Sequence, residues 1–330
     1  MSSILTDSFG RTIDYLRISV TDRCNFRCIY CMPPEGIPTL PREEILTFEE
    51  IARVARIFLK LGGRRLRITG GEPLLRKNVV ELVEQLAGLP KLKDLALTTN
   101  GFFLSKLAQP LKDAGLQRIN ISLDSLDHTQ FSKLTKCSKF EDVWEGIEQA
   151  LTADLKVKIN VVIMKGINEK EILRFGGLAK NSSIEVRFIE FMPLCGTGWR
   201  PEWVFPIKEV RDLLKENFTL APIPRGQEVA ESYRIENGKG NVGFIASLTE
   251  PFCDSCSRLR LTADGKLRSC LFSNAEVELK PWLRGAEPVD EMIERIIIQA
   301  VRSKPAGHGM TYPITTKNPE ELPKIRFVGG

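Results

Sequence analysis

A chain of 330 residues and 37.2 kDa is too large for one small core and suits one large α/β domain with an appendage. Hydrophobic residues at 42% and charged residues at 27% are a balance that excludes wholesale disorder and fibrous repeats. The net charge of +5 permits an anionic substrate without calling for nucleic acid. The longest run free of Asp, Glu, Lys and Arg, Pro305–Thr316, is too short and too polar to span a membrane. Met1 to Arg11 has no apolar signal-peptide run, so the eight Cys predict a reducing, cytoplasmic setting in which clustered thiols read as metal ligands.

In chain order, the pattern predicts strands at Asp14–Val20, Leu66–Thr69, Asp94–Thr98, Arg118–Leu123, Lys156–Val162 and Ile184–Phe188. Helical segments fall between them, at Phe48–Leu61, Asn78–Ala87, Leu104–Ala114, Glu141–Ala153 and Glu169–Ala179. The first opens with Thr47 and Glu50 in capping-box spacing. Successive βα units favour a parallel sheet with right-handed crossovers. The alternation stops near Pro193, which divides the chain into residues 1–193 and a mixed α+β region, 194–330.

The strands themselves alternate. Leu16, Ile18 and Val20 oppose Arg17 and Ser19, Leu66 and Ile68 oppose Arg67 and Thr69, and Val157, Ile159 and Val161 oppose Lys156, Lys158 and Asn160. Helices must cover the apolar face. A complete eight-stranded barrel fills its lumen with branched apolar side chains, which this polar face does not supply. An α/β fold of the incomplete (β/α)6, TIM-like kind, with an Arg/Lys-studded lumen, fits better; a sheet with one solvated face is the alternative.

Cys24, Cys28 and Cys31 form C-x3-C-x2-C directly after the first strand, where βα loops build active sites. Three thiolates can hold a 4Fe-4S cluster with its fourth iron open. Cys253, Cys256 and Cys270 form a second trio, C-x2-C-x13-C, for which a zinc site completed by Cys195 or His308 stays open. Arg258 and Arg260 follow on one face of an alternating run, as an anion delivered to a metal would require. No P-loop (G-x4-G-K-[ST]) is present. Cys137, Cys195, His128 and His308 read as ordinary structural or surface residues.

Cys24 to Cys31 (CNFRCIYC) followed by Gly70-Gly71-Glu72-Pro73 after the second strand resembles the radical S-adenosylmethionine (SAM) enzymes. Both trios, a terminal Gly329-Gly330, and the segments RISVTDRCNFRCIYCM (17–32), RITGGEP (67–73), LTTNG (97–101), RINISLD (118–124), KINV (158–161), VRFIEFM (186–192) and FCDSCSRLR (252–260) resemble one branch of that family. That branch acts on GTP at the start of molybdenum cofactor biosynthesis.

The resemblance implies a partial (β/α)6 barrel and two 4Fe-4S clusters, on Cys24, Cys28 and Cys31 and on Cys253, Cys256 and Cys270. It implies SAM contacts from Tyr30, Gly71, Ser122 and Met192, and GTP contacts from Arg17, Arg67, Thr98, Lys158, Arg258, Leu259 and Arg260. Arg187 is left between the two ligands. It assigns a catalytic part to Arg17 and to Gly329 and Gly330, whose tail would enter the cavity. Implied partners are GTP, an electron donor, the next enzyme of the molybdopterin pathway (cyclic pyranopterin monophosphate synthase) and a second copy as homodimer, with no nucleic acid or membrane. A peptide-modifying member of the same superfamily and a two-cluster electron carrier are the competing readings.

Overall fold

The computed structural model describes residues 5–33, 35–36, 38–194, 199–224, 226, 228–285 and 289–310. Its first half alternates as the pattern requires. β1 (Tyr15–Ser19) leads through α1 (Phe48–Lys60) to β2 (Arg65–Thr69), α2 (Val79–Ala87), β3 (Asp94–Thr99), α3 (Leu104–Asp113) and β4 (Arg118–Ser122). Two helices, α4 (His128–Thr135) and α5 (Phe140–Thr152), then precede β5 (Lys156–Ile163), α6 (Ile172–Asn181) and β6 (Glu185–Glu190). The capping box closes as expected: Thr47 Oγ1 accepts from Glu50 N at 3.2 Å and Glu50 Oε2 accepts from Thr47 N at 2.7 Å. Helix α4 is an addition to the expected elements, being short and only weakly amphipathic. Before α6, Glu169–Glu171 is a 3-10 turn, so that helix begins later than its pattern suggests.

The C-terminal residues extend the same sheet. α7 (Ile207–Asn217) is followed by β7 (Leu220–Pro222), β8 (Glu231–Ile235), β9 (Asn241–Ile245), β10 (Arg258–Leu261), β11 (Lys266–Arg268), β12 (Val277–Glu278), α8 (Lys280–Arg284) and α9 (Asp290–Arg302). The order is β12-β11-β10-β1-β2-β3-β4-β5-β6-β9-β8-β7. Strands β1 to β6 are parallel to their neighbours, and β10 and β9 continue the parallel run at either end, against β1 and β6.

Helices bury the outer face, where Leu16, Ile18, Leu66, Ile68, Ile119, Ile121, Ile159 and Val186 are fully enclosed. The sheet also curls. In a flat sheet β1 and β4 lie about 14 Å apart, yet Arg118 on β4 donates to Tyr15 Oη on β1 at 3.2 Å. Arg17 of β1 and Arg187 of β6 line one cavity although five strand spacings separate them. The polar face is therefore an interior, closed around buried guanidiniums. Among the described residues no helix is long and apolar enough to cross a membrane.

Candidate active site

Ladder registers set Arg268, Arg260, Arg17 and Arg67 side by side on β11, β10, β1 and β2. All four are buried, and like charges in register repel. Burial, followed by Arg260 and Arg67, holds Arg17 well below the ordinary guanidinium value. Burial and Arg258 bring Arg260 down to about 9. Nε of Arg17 and Nε of Arg67 are buried with no hydrogen-bond partner, as is Thr98 Oγ1 on β3. Such a row is costly by itself and is relieved by an anion rich in acceptor oxygens.

Lys158 and Arg187, like Arg268 at the end of the row, where Glu276 Oε1 lies 3.3 Å from Nε, are met by carboxylates, unlike Arg17 and Arg67. Glu185 Oε2 lies 2.9 Å from Lys158 Nζ and its Oε1 accepts from Arg187 Nε at 2.6 Å. Glu228 Oε2 accepts from Arg187 at 2.9 Å, and its Oε1 lies 3.8 Å from Lys158 Nζ. Sequence reasoning passed over both acids. Glu185 was within reach of the alternation, since it stands two residues before Arg187 on the inner face; Glu228 lies between strands and gave no signal.

The second Cys trio adjoins the arginine row because β10, which carries Arg258 and Arg260, pairs with β1. Cys253 and Cys256 precede β10, and Cys270 follows β11. One cavity is lined by Cys253, Cys256 and Cys270 together with Arg17, Arg67, Arg187, Arg258, Arg260 and, at the end of β6, Met192. Against the desolvation of burial, Arg258 and Lys304 lower the Cys256 thiol to about 6. Lys304 Nζ donates to the carbonyl of Arg258 at 2.9 Å and to that of Ser269. Arg11 Nη1 donates to the carbonyls of Cys253 at 2.9 Å and Ala306 at 2.7 Å, tying the N-terminal segment under the loop. His308 is engaged with the Ser247 carbonyl at 3.0 Å and Met310 N at 3.0 Å.

The first trio sits at the barrel's C-terminal edge, on a loop held from two sides. Arg27 N and Ile29 N each donate at 2.9 Å, to the carbonyls of Thr135 and Leu134 at the end of α4. On the other side Gly71 N donates to Thr21 O, and Glu72 N to Arg23 O, each at 2.8 Å. A Cβ on Gly71 would come within 2.3 Å of Arg23 O, so only glycine allows this approach. Buried Glu72 joins the segment to the end of β3, accepting from Thr99 Oγ1 and Asn100 N at 2.7 Å each, and burial raises it to about 7. Tyr30 hydrogen-bonds buried Asp124, which burial raises to about 6.

Both trios fit the clusters that the motifs imply. Burial and then Cys24 push the Cys31 thiol up to about 12, and burial and Cys31 push Cys28 well above its ordinary value. A bound cation reverses that penalty, because it favours the thiolates. Among the described residues no three His, Cys, Asp or Glu are gathered closely enough to hold a single metal ion. Within each trio the thiols feel one another's charge, Cys31 that of Cys24 and Cys253 that of Cys256 and Cys270, as the ligands of one cluster would.

The expected residues therefore fall into groups. Arg17, Arg67, Arg187, Met192, Arg258, Arg260 and the second trio share the cavity. Thr98, Lys158 and Ser122 are on inner-face positions beside it, while Tyr30 and Gly71 accompany the first trio. Leu259 points the other way, into the apolar core, so its backbone is what remains for a ligand. Cys137 is half-buried behind Thr135, and His128 pairs with Glu141 at the surface at 3.3 Å. Cys195, Gly329 and Gly330 lie outside the described residues.

Comparison with known proteins agrees with this architecture. The family model of the Radical SAM superfamily matches residues 18–178, and that of Molybdenum Cofactor Synthesis C matches residues 184–310. GTP 3′,8-cyclase of Thermodesulfovibrio yellowstonii is 47% identical over 92% of this chain and 95% of its own length. Molybdenum cofactor biosynthesis protein 1 of Drosophila melanogaster is 43% identical over 94% of this chain and 56% of its own. Among solved structures, Streptococcus suis SuiB bound to its precursor peptide SuiA superposes with a TM-score of 0.62 at 14% identity, covering 98% of this chain and 72% of that one. At that identity the likeness speaks for the fold alone. With a relative at 47% identity along nearly its whole length, the chain belongs to the GTP 3′,8-cyclase family of the radical SAM superfamily.

Proposed function

We propose that this chain converts GTP to 3′,8-cyclo-7,8-dihydroguanosine 5′-triphosphate, the first step of molybdenum cofactor biosynthesis. Cys24, Cys28 and Cys31 would hold one 4Fe-4S cluster, and Cys253, Cys256 and Cys270 the other. When bound, the first cluster and SAM supply a hydrogen-abstracting radical through one-electron cleavage of the sulfonium, and the second supplies an open iron for the guanine base. The rest is the protein's own work. Arg17, Arg67, Arg258 and Arg260 pair with phosphate oxygens, for which a guanidinium fork is the suited donor. Thr98 Oγ1 and the Leu259 backbone add polar contacts, and Lys158 and Arg187 complete the cationic wall. Tyr30, Gly71, Ser122 and Met192 line the SAM side. The curled sheet keeps the ribose C3′–H away from bulk water, so that C3′ meets C8 of guanine and not solvent.

The observation that carries this reading is the buried row of Arg67, Arg17 and Arg260 beside the second Cys trio. A peptide backbone, neutral and poor in anionic oxygens, would leave the partnerless Nε atoms of Arg17 and Arg67 unmatched. The donated electron implies a redox partner, and the product implies transfer to the next enzyme of the pathway. Anaerobic reconstitution followed by product analysis with GTP, SAM and dithionite tests the reading. Cyclised product dependent on GTP supports it, whereas 5′-deoxyadenosine formation indifferent to GTP refutes it.

A further inference from the structure

A polyanion approaching the Lys158–Arg187 wall finds it already occupied. Glu185 and Glu228 both sit there, and neither acid can share those cations with phosphate oxygens without like-charge contact. The two are held differently. Glu185 is fixed on β6, its side chain 15% exposed, and contacts both cations from its strand position. Glu228 lies between β7 and β8 with its side chain 43% exposed, so solvent reaches the carboxylate that meets Arg187 and Lys158. It also lines the cavity that holds Arg17, Arg67 and the second Cys trio.

We propose that Glu228 is a place-holding counter-ion: it occupies Arg187 and Lys158 in the nucleotide-free protein, turns out to solvent when the triphosphate enters, and returns as the cyclised nucleotide leaves. The inference rests on the reading of these cations as the phosphate side of the cavity. Neutralisation in place is not an alternative to movement. Burial works against the charge, yet Arg187, Lys158 and Arg118 hold the Glu228 carboxyl at about 2. The consequence is an exchange of one carboxylate for phosphate oxygens on the same donors. That exchange weakens substrate binding but keeps the cations aligned between turnovers, and it speeds the departure of a product that still carries all its phosphates.

The test compares wild type with Glu228→Gln, both reconstituted anaerobically, in titrations with GTP and with guanosine. Loss of a competing ion pair of this exposure predicts GTP binding about five- to tenfold tighter in the variant, with slower release of the nucleotide and unchanged binding of guanosine. Iron content and thermal melting check that the variant folds, and Glu228→Ala must tighten GTP in the same direction. Wild type alone gives a second readout: labelling of Glu228 by a water-soluble carbodiimide, mapped by mass spectrometry, should rise on addition of GTP. Wild type with no affinity for GTP would overturn the phosphate-site reading itself. GTP binding that the variants leave unchanged or weaken, equal tightening of guanosine, or labelling that does not rise would each overturn the place-holder while leaving that reading intact.

Discussion

Replacing Arg17 by Met should make the protein more stable and bind GTP more weakly at once. Arg17 stands in register between Arg67 and Arg260, and its Nε has no hydrogen-bond partner. Guanidiniums on adjacent strands, about 5–7 Å apart, repel by on the order of 2–3 kcal/mol per neighbour at an effective dielectric of about 20. Splaying of the side chains reduces that sum. Exchanging buried, poorly satisfied charge for an apolar side chain of similar volume is accordingly worth about 1–4 kcal/mol. The melting temperature of the nucleotide-free protein should rise by several degrees. Against this, a lost charge-assisted contact to phosphate costs about 1.5–3 kcal/mol, which is roughly a 10- to 150-fold weaker Kd for GTP. SAM, lacking phosphates, should bind nearly as before, and Arg67→Ala and Lys158→Ala should show the same asymmetry. Differential scanning fluorimetry and anaerobic calorimetric titration measure the two sides. A variant that melts lower and binds GTP as tightly as wild type would refute the claim that the row is stressed until an anion enters.

Four-iron cubanes on both trios predict about eight irons per chain after reconstitution; four irons and one zinc would remove the second cluster. Cys24→Ala, Cys28→Ala and Cys31→Ala should each abolish SAM cleavage, whereas Cys253→Ala, Cys256→Ala and Cys270→Ala should stop cyclisation while uncoupled cleavage persists, and equal loss of both activities in both sets would contradict this division. Arg260 gives a pH test. Its folded value of about 9 lies below the ordinary 12.5, so the unfolded chain binds the proton more tightly and the penalty is fully present below pH 9. The extra thermal stability of Arg260→Met over wild type should therefore shrink as pH is raised from 7.5 toward 10; a constant or growing gap would mean that the guanidinium is not under strain. Deleting Gly329 and Gly330 should leave iron, GTP binding and SAM cleavage largely intact and nearly abolish the cyclised product, and wild-type yield from the truncated chain would falsify the role proposed for the tail.

What the sequence discloses about this site follows from period. A strand with one face on a helical layer must alternate, so Leu16 and Ile18 betray the core and, by subtraction, Arg17 betrays the lumen. The same subtraction finds Arg67, Lys158 and Arg187, and the spacing of Cys24, Cys28 and Cys31 marks a loop that needs no tertiary information to be read. Alternation does not disclose partners. That β10 lies against β1, and so brings Arg260 and the Cys256 loop beside Arg17, is a pairing across more than two hundred residues, set by how the C-terminal strands extend both ends of the barrel sheet. Nor does it weigh sign. Glu185 obeys the rule that reveals Arg187, yet period alone does not say whether an inward charge meets a ligand or a neighbouring side chain. Its presence is physically reasonable: guanidiniums buried without any counter-charge are costly enough to threaten the fold, so some must be matched internally and others left for the ligand. Carboxylates meet Lys158 and Arg187 directly, whereas Nε of Arg17 and Nε of Arg67 have no hydrogen-bond partner, so the first pair is balanced before a nucleotide arrives and the second is balanced only by it.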